Sequence, residues 1–410
     1  MLKIFQRRLE KRITEALRTA RVVAVLGARQ TGKSWLVQRF TAQDRPYLTL
    51  DDLGQLSQAE GDPVGFIASL PQKVVIDEIQ RVPKLLLPIK VAVDQKPEKG
   101  RFLLTGSANL LTLPTLADSL AGRMIVLELF PLAQAEIEQT ESNVVEQLFT
   151  GTFSWNPPPI EQADLAARIV RGGYPDAVLA SDDASRSRWF ESYLLTLLQR
   201  DIREIAHVSD IVAMGRVLQT LAPRSGSLLN YTSLASAAEI PKSTIIRYIG
   251  ALEQAYLVHR LPAWSFDLSR RLTKLPKLHL TDSGVAAHLM RVDAKRIIQD
   301  RNLFGGLLET FVANELRKHA SWSDRRAQLY HYRSHAGIEV DFILESPTGE
   351  RIAIEVKAGA TLSPSDFRSV AHLMDDPKMK LTRGVVLYTG STIVPSRENV
   401  HGIPISVFWS

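Results

Sequence analysis

Residues 27–34 have the composition and spacing of a loop that binds phosphate. They are Gly-Ala-Arg-Gln-Thr-Gly-Lys-Ser, follow the apolar run 22–26 and precede a predicted helix. Glycines allow such a loop to fold back, so that successive backbone N–H groups point at a phosphate. We predict that Lys33 reaches the β- and γ-phosphates of a nucleotide and that the Ser34 hydroxyl binds Mg²⁺ at the start of the helix, where anions are favoured. The predicted ATP-binding residues are Gly27, Ala28, Arg29, Gln30, Thr31, Gly32, Lys33 and Ser34.

Two carboxylates, Asp77 and Glu78, follow the apolar run 74–76. This run is a predicted strand, and open α/β sheets bind ligands at the carboxyl ends of their strands. We predict that Asp77 holds Mg²⁺ through water and that Glu78 orients or deprotonates the attacking water. The alternative is an acidic pair that makes surface salt bridges. The phosphate loop upstream favours the catalytic interpretation.

Polar residues also follow the next predicted strand, at 102–105. We predict that Ser107 and Asn109 sense the γ-phosphate and polarise the attacking water, although a simple turn rich in Gly, Ser and Asn is the alternative. Arg123 precedes the predicted strand 124–129. It is a candidate arginine finger for the nucleotide of its own or a neighbouring subunit, and the alternative is a solvated surface cation.

A second group of charged residues lies near the C-terminus, on a predicted β-hairpin whose turn is at 346–349. Side chains alternate along a strand, so Glu339 and Asp341 share one face of the first strand, and Glu355 and Lys357 share one face of the second. We predict that Asp341 and Glu355 hold a divalent metal, Mg²⁺ or Mn²⁺, that activates water, and that Lys357 positions water or stabilises the developing negative charge. The alternative is a solvated hairpin with cross-strand ion pairs.

The middle of the chain has the pattern of a helix-turn-helix, with a short helix at 232–238, a turn at 239–242 and a second helix at 243–255. Predicted strands at 256–261 and 277–281 complete a unit like a winged helix. Residues at the start of the second helix are predicted to enter a DNA groove, and cations between the strands to contact phosphates. The alternative is a winged helix that binds protein. The predicted groove residues are Lys242, Ser243, Thr244 and Arg247, and the predicted phosphate contacts are Arg270, Arg271, Lys274 and Lys277.

The composition is that of a folded protein of several domains. Of 410 residues, 45% are hydrophobic, 23% charged and 7% aromatic, and the net charge is +6. The absence of cysteine excludes disulfides, thiolate metal sites and cysteine nucleophiles. Apolar runs at 22–26, 46–50, 74–76, 102–105 and 124–129 alternate with helical stretches and predict a parallel sheet. We predict an α/β P-loop domain at 1–150, an α-helical segment with a winged helix at 151–295 and an α+β domain at 296–410.

No run of apolar residues is long enough to cross a membrane, and the first residues lack the uninterrupted apolar stretch of a secretory signal. We therefore predict a soluble, cytoplasmic protein without a membrane partner. The basic and apolar residues of the first turns also fit an amphipathic helix on a membrane surface, but a helix packed on its own domain is the commoner case.

Five segments together resemble a prokaryotic family of AAA-type ATPases that carry a further domain behind the ATPase. The segments are 27–34, 50–52, 77–80, 104–109 and 120–123, and the likeness extends over nearly the whole chain, including residues 171–175. It implies an AAA+ ATPase core that uses ATP and Mg²⁺ and, by analogy, assembles as a homo-oligomeric ring.

The C-terminal hairpin resembles the PD-(D/E)XK restriction-endonuclease-like fold. That resemblance implies that Asp341, Glu355 and Lys357 are active-site residues and that Glu309, on the preceding predicted helix, is a further metal ligand. No proline precedes Asp341, which is a departure from the pattern. The combined prediction is an ATPase that remodels or processes DNA, branched DNA included, with a nuclease-like C-terminal domain. The alternative is a nucleotide-dependent regulatory switch that binds protein and whose nuclease fold is inactive.

Overall fold

The computed structural model describes residues 5–107, 120–151, 157–202, 210–334 and 337–410. Within these residues the chain forms two compact units. The N-terminal unit comprises Arg7–Pro131 with Gln254–Tyr256. The C-terminal unit comprises Leu132–Glu253 and Leu257–Ser410, together with Phe5 and Gln6.

The N-terminal unit is built on a five-stranded sheet in the order β2-β3-β4-β1-β5, and each pair of neighbouring strands is parallel. The predicted parallel α/β sheet is thus confirmed. Its strands are β1 (Val22–Leu26), β2 (Tyr47–Thr49), β3 (Val74–Asp77), β4 (Phe102–Gly106) and β5 (Met124–Glu128). The helices described around it are α1 (Leu9–Thr19), α2 (Lys33–Gln38), α3 (Leu53–Gly61), α4 (Pro63–Ser69) and α5 (Leu86–Gln95), with 3₁₀ turns at Ile79–Arg81 and Pro83–Leu85.

Alternation along β1 explains its uninterrupted apolar sequence. Val22 and Leu26 lie in one apolar core, and Val23 lies in a second core on the other face of the sheet. A parallel sheet covered by helices on both faces buries every residue of its central strands. Leu9 and Ile13 of α1 belong to the second core, so α1 packs on its own unit, as the sequence predicts.

The C-terminal unit begins with helices and contains two sheets. Its helices are α6 (Gln134–Glu138), α7 (Val144–Thr150), α8 (Gln162–Arg171), α9 (Pro175–Leu179), α10 (Asp183–Thr196), α11 (Ile211–Leu221), α12 (Tyr231–Ala238), α13 (Lys242–Gln254), α14 (Leu268–Thr273), α15 (Ser283–Leu289), α16 (Ala294–Gln299), α17 (Arg301–Trp322) and α18 (Arg368–Asp375). A π-helical segment follows α10 at Leu197–Ile202, and 3₁₀ turns lie at Ala222–Arg224, Pro364–Phe367 and Ile405–Trp409.

The smaller sheet is antiparallel and has three strands in the order β6-β8-β7. They are β6 (Ser227–Leu228), β7 (Val258–Leu261) and β8 (Lys277–Leu280). The predicted strand pair around the basic segment is therefore present as β7 and β8.

The larger sheet is mixed, with six strands in the order β13-β14-β12-β11-β10-β9. They are β9 (Gln328–Arg333), β10 (Glu339–Glu345), β11 (Arg351–Lys357), β12 (Leu381–Tyr388), β13 (Val394–Arg397) and β14 (Val400–Pro404). Strands β10 and β11 form the predicted hairpin. Helix α17 contacts β8, β9 and β11, so it faces both sheets of this unit.

Among the described residues, no helix is both long and apolar enough to span a bilayer.

Candidate nucleotide site and a carboxylate cluster

The phosphate loop needs glycine at both of its fixed positions. A Cβ on Gly27 would lie 2.2 Å from the carbonyl oxygen of Leu129, because the loop passes closely over the end of β5. Gly32 has φ +88°, in the left-handed region that glycine adopts without steric cost. Gln30 also has a positive φ, of 62°. The loop is thus a tight turn between β1 and α2.

Lys33 is buried at the centre of this loop. Its Nζ donates hydrogen bonds to the carbonyl oxygens of Gly27, at 2.9 Å, and Ala28, at 2.7 Å. Thr31 holds the same turn by donating from Oγ1 to the Ala28 carbonyl at 2.9 Å. Ser34, the predicted Mg²⁺ ligand, is half-buried in the first turn of α2. A bound phosphate would replace the loop carbonyls as the acceptor of the Lys33 hydrogen bonds.

A buried arginine outside the motif also contacts the loop. Arg7 is 4% exposed and donates to the Thr31 carbonyl at 2.6 Å and to the Phe130 carbonyl at 2.6 Å. It therefore ties the phosphate loop to the segment that follows β5. Sequence analysis missed this role, because Arg7 lies among several basic residues of a predicted amphipathic helix.

Asp77 is held at the end of β3 by side chains from both neighbouring strands. It is 2% exposed; Tyr47 Oη donates to its Oδ2 at 2.6 Å, and Thr105 Oγ1 donates to its Oδ1. Burial and the contact with Asp77 raise the pKa of Tyr47 to about 12, so Tyr47 stays a neutral donor. Sequence analysis did not select Tyr47 or Thr105; their places at the ends of apolar runs were the available signal.

Glu78 and Ser107, predicted to act on the same water, lie close together. The Oγ of Ser107 is 3.5 Å from Oε2 of Glu78. Gln80 bridges them: its Nε2 donates to Glu78 and, at 2.9 Å, to Ser107 Oγ, while its Oε1 accepts from the Ser107 backbone at 3.2 Å. Glu78 itself has φ 59°, and its N–H donates to Thr105 Oγ1 at 3.0 Å. Gln80 is a site residue that sequence analysis missed, and Asn109 lies outside the described residues.

Arg123 lies at the opposite edge of the parallel sheet from the phosphate loop. Arg123 directly precedes β5, and Met124, the first residue of β5, lies opposite Val22, the first residue of β1. Because the two strands are parallel, the phosphate loop, which follows the last residue of β1, begins at the other end of the strands from Arg123. A five-residue strand is about 13 Å long. Arg123 is engaged with Asp94, with Nη2 2.9 Å from Oδ2. The predicted role toward the nucleotide of its own subunit is therefore not supported, and a role toward a neighbour stays a prediction.

In the C-terminal unit, three carboxylates surround the ammonium group of Lys277. Lys277 Nζ lies 2.9 Å from Oε1 of Glu309, 3.0 Å from Oε1 of Glu339 and 3.7 Å from Oδ1 of Asp341. Burial by itself would lower the pKa of Lys277, but the charges of Glu309 and Asp341 outweigh it and raise the pKa above its ordinary value. We call Lys277, Glu309, Glu339 and Asp341 the carboxylate cluster.

The predicted partners on β11 lie beside this cluster. Phe342 of β10 lies opposite Ile354 of β11, which brings Asp341 next to Glu355 across the ladder. The backbone N–H of Val356 donates to Asp341 Oδ2 at 2.9 Å, and Lys357 Nζ lies 2.8 Å from Glu355 Oε1. Burial, reinforced by the charge of Asp341, raises the pKa values of Glu309 and Glu355 to about 7.

The described residues do not fit the predicted divalent metal in this unit. No group of three or more Asp, Glu or His side chains among them is arranged to hold a metal ion. The predicted ligands Glu309 and Asp341 face Lys277 instead, and Glu355 pairs with Lys357. The prediction of an Mg²⁺ or Mn²⁺ site at Glu309, Asp341 and Glu355 is therefore not supported.

The helix predicted to enter DNA has an exposed polar face. Helix α13 begins at Lys242, one residue before the predicted start, and buries Ile245 and Ile249. Lys242, Ser243 and Arg247 are exposed, and Thr244 is half-buried. The turn before it contains Glu239 in the left-handed region, with φ 54°.

The basic segment between β7 and β8 is less available than predicted. Nη1 of Arg271 lies 2.6 Å from Oε2 of Glu345, and its guanidinium stacks over the rings of Trp264 and Tyr330. Lys277 is buried in the carboxylate cluster. The prediction that these two cations contact phosphate is therefore not supported, because their charges are already paired with carboxylates inside the protein. Lys274 is half-buried, and the side chain of Arg270 lies outside the described part.

Comparison with protein families matches three parts of the chain. Residues 19–138 match an AAA domain, residues 162–296 a domain of unknown function (DUF8612) and residues 304–408 a domain of unknown function (DUF4143). Together with the parallel sheet and its phosphate loop, the first match shows an AAA-type ATPase domain. ATP and Mg²⁺ are the ligands that such a domain uses.

Relatives and solved structures extend the comparison. An uncharacterized protein of Mycobacterium tuberculosis is 27% identical over 394 residues, which is 96% of this chain and 82% of the relative. An uncharacterized protein of Methanocaldococcus jannaschii is 21% identical over 411 residues, 95% of this chain and 87% of the relative. A RuvB variant of Thermotoga maritima, 19% identical, aligns over 62% of this chain and 89% of its own with a TM-score of 0.31. DnaA of Aquifex aeolicus bound to AMPPCP, 13% identical, aligns over 59% of this chain and 86% of its own with a TM-score of 0.29.

Proposed function

We propose that this protein hydrolyses ATP at the N-terminal site and uses the nucleotide cycle to act on DNA through the exposed face of α13. The observation that carries the ATPase assignment is the joining of Glu78 to Ser107 through Gln80, next to a loop that holds Lys33. These side chains follow parallel strands that end at one edge of the sheet, where α/β folds bind ligands.

Each residue of the site has a proposed task. Residues 27–34 hold the triphosphate, and Lys33 turns from the loop carbonyls to the β- and γ-phosphates. Ser34 and Asp77 hold Mg²⁺, which neutralises the phosphate charge when it is bound. Glu78 orients the attacking water or accepts its proton, while Gln80 and Ser107 fix the Glu78 carboxylate in place.

The DNA-binding part of the proposal rests on the order of elements and on exposed charge. Helix α12, a turn, helix α13 and the β7–β8 hairpin follow one another as in a winged helix. Lys242, Ser243 and Arg247 are exposed on α13, with Thr244 half-buried between them. Helices presented in this way contact base edges and phosphates with their first turns. Lys274 is the cation of the basic segment that remains in the proposed surface, with Arg270 as a sequence-based addition.

The domain division is part of the same proposal: ATPase domain 1–150, helical segment with winged helix 151–295 and restriction-endonuclease-like domain 296–410. The mixed sheet with α17 packed against it supports an α+β C-terminal domain. Assembly as a ring, a role of Arg123 toward a neighbouring subunit, and a cytoplasmic location stay predictions from the sequence.

A second candidate function is a nucleotide-dependent switch in which the nuclease-like domain is an inactive scaffold and the winged helix binds protein. The ammonium of Lys277 among the carboxylates of Glu309, Glu339 and Asp341 favours this candidate over a metal-dependent deoxyribonuclease.

The test measures ATP hydrolysis and DNA binding with duplex, single-stranded and four-way branched DNA over a range of salt concentrations. We expect Lys33→Ala to abolish hydrolysis and Lys242→Ala/Arg247→Ala to weaken DNA binding and flatten its salt dependence. Lys295→Ala, which removes an exposed cation from α16, is the matched control. Hydrolysis that no DNA stimulates, together with the absence of salt-dependent binding, would overturn the DNA assignment. Nucleotide-dependent capture of a protein would then favour the switch.

A further inference from the structure

The position of Lys277 is fixed by the backbone that carries it. Lys277 is the first residue of β8, the central strand of the smaller sheet, and pairs with Leu261 of β7 and with Leu228 of β6. Strand pairing on both sides leaves this backbone little freedom to shift. The residue is 3% exposed, so its side chain is enclosed by the unit that contains it.

The carboxylates around Lys277 come from two other elements. Glu309 lies on α17, and Glu339 and Asp341 share one face of β10. Nζ lies within 4 Å of a carboxylate oxygen of each. The backbone of Gly226 closes another side, since a Cβ there would lie 3.2 Å from Glu309 Oε1. The ammonium is thus the shared partner of acidic groups from a helix and a strand.

The charges of these groups explain why the lysine is needed. Three carboxylates that approach one another repel, and burial disfavours the charged forms of Glu309 and Asp341. Removing a cation from such a group leaves uncompensated charge and is strongly destabilising. Lys277 supplies a positive charge to all three, which is the task that a divalent metal performs in a carboxylate site.

An ammonium group and a metal ion cannot hold this position together. Mg²⁺ binds carboxylate oxygens at about 2.1 Å and carries a double positive charge. The predicted ligands Glu309 and Asp341 already have a carboxylate oxygen 2.9 and 3.7 Å, respectively, from Lys277 Nζ. A metal ion between them would meet the ammonium at van der Waals distance and be repelled by it.

We propose that Lys277 is a tethered cation that takes the place of a divalent metal in the carboxylate cluster, so that the cluster does not bind Mg²⁺ or Mn²⁺ while β8 keeps its place in the sheet. The proposal concerns the C-terminal unit alone and does not depend on the proposed ATPase or DNA-binding functions. It predicts that the strand next to the helix-turn-helix excludes metal from the nuclease-like domain.

The test measures Mn²⁺ binding by electron paramagnetic resonance, without nucleotide, in full-length protein that carries Lys33→Ala and Asp77→Asn to remove the ATPase site. In this background we expect no Mn²⁺ site that depends on Asp341. Adding Lys277→Met, which keeps most of the length of the side chain and removes its charge, should create one site that binds Mn²⁺ at least tenfold more tightly than any residual binding of the background protein. Asp341→Asn should abolish the new site.

Arg271→Met is the matched control, because it removes another cation that is paired with a carboxylate inside the same unit, and it should create no Mn²⁺ site. A site in the background protein that Asp341→Asn removes would overturn the proposal. So would a folded Lys277→Met variant that gains no site. If Lys277→Met does not fold, comparing the background protein with its Asp341→Asn variant decides the question: an Asp341-dependent site contradicts the proposal, and its absence supports it.

Discussion

The guanidinium of Arg7 donates a 2.6 Å hydrogen bond to the backbone carbonyl of Thr31, inside the phosphate loop. A second hydrogen bond, to the Phe130 carbonyl, anchors the same side chain beyond the last strand of the sheet. The shape of the loop therefore depends on a residue that precedes the first helix and belongs to no nucleotide-binding motif.

We expect Arg7→Met to weaken ATP binding by about tenfold, because hydrogen bonds to a charged group contribute about 1.5 to 3 kcal/mol. Titration with a fluorescent ATP analogue measures the affinity. Arg18→Met, at an exposed position of α1, is the control and should bind ATP as the wild type does. Equal affinities of the Arg7 and Arg18 variants would contradict a positioning role for Arg7.

Glu78→Gln should retain ATP binding but lose hydrolysis by about a hundredfold or more, since proton transfer by a positioned side chain contributes about 10² to 10⁴ in rate. Gln80→Ala should lower kcat by a smaller factor, because Gln80 acts through its hydrogen bonds to the Glu78 carboxylate and Ser107. Single-turnover hydrolysis with separately measured ATP affinity distinguishes the two effects. A Gln80→Ala variant with unchanged kcat would exclude Gln80 as a positioning residue.

Gly27→Ala should destabilise the N-terminal unit by more than 1 kcal/mol, because the new Cβ would lie 2.2 Å from the Leu129 carbonyl oxygen. Gly61→Ala is the control, since a Cβ there meets nothing within 4 Å. Thermal unfolding followed by circular dichroism compares the variants. A Gly27→Ala protein that unfolds at the wild-type temperature would show that the loop can move away from β5.

His279 should make the stability of the protein sensitive to acid. Burial, with the nearby charges of Lys277, Arg317 and His331, lowers its pKa to about 3, and the ring stacks on His259 at 5.4 Å. The unfolded chain binds a proton near pH 6.5, and the folded chain binds it only near pH 3, so this stabilisation is present above pH 6.5 and is lost as the pH falls toward 3.

The raised pKa values of Glu309 and Glu355 change the free energy of unfolding in the opposite direction as the pH falls. The test therefore compares the wild type with a variant that lacks only His279. Between pH 7 and pH 5, the free energy of unfolding should fall more steeply for the wild type than for His279→Leu. The expected difference is about 1 kcal/mol per pH unit at most. His372→Leu, at an exposed histidine of α18, should leave the slope unchanged. Parallel slopes for wild type and His279→Leu would contradict the prediction.

Arg271→Ala should lower stability without changing the salt dependence of DNA binding. Its ion pair with Glu345 is largely buried, but Glu345 keeps a second partner in Arg351, so we expect the loss of the hydrogen bonds to a charged group to cost about 2 kcal/mol. Arg247→Ala, on the exposed face of α13, should leave stability unchanged and flatten the salt dependence of DNA binding. Denaturant unfolding and DNA titrations at several salt concentrations provide both measurements. A flatter salt dependence for Arg271→Ala would restore this residue to the DNA surface.

The sequence by itself determined the features that depend on local patterns of residues. Uninterrupted apolar runs predicted the strands of the parallel sheet, because a strand covered on both faces has no polar side. The glycine spacing predicted the phosphate loop, since a tight turn around an anion needs backbone freedom at fixed positions. Asp77 and Glu78 were predictable as candidates because strand ends in such sheets meet at one edge. The C-terminal hairpin followed from two alternating runs and the turn between them.

Tertiary structure decided which charges meet. Arg7 and Thr31 lie 24 residues apart, and Lys277 and Glu309 lie 32 apart, so no local pattern joins them. From its neighbours in sequence, Lys277 was predicted to contact phosphate at the surface. The pairing of β8 on both sides and the packing of α17 bring it instead to three partly buried carboxylates. The partner of a charged side chain is set by which distant elements pack beside it, and only the folded chain contains that information.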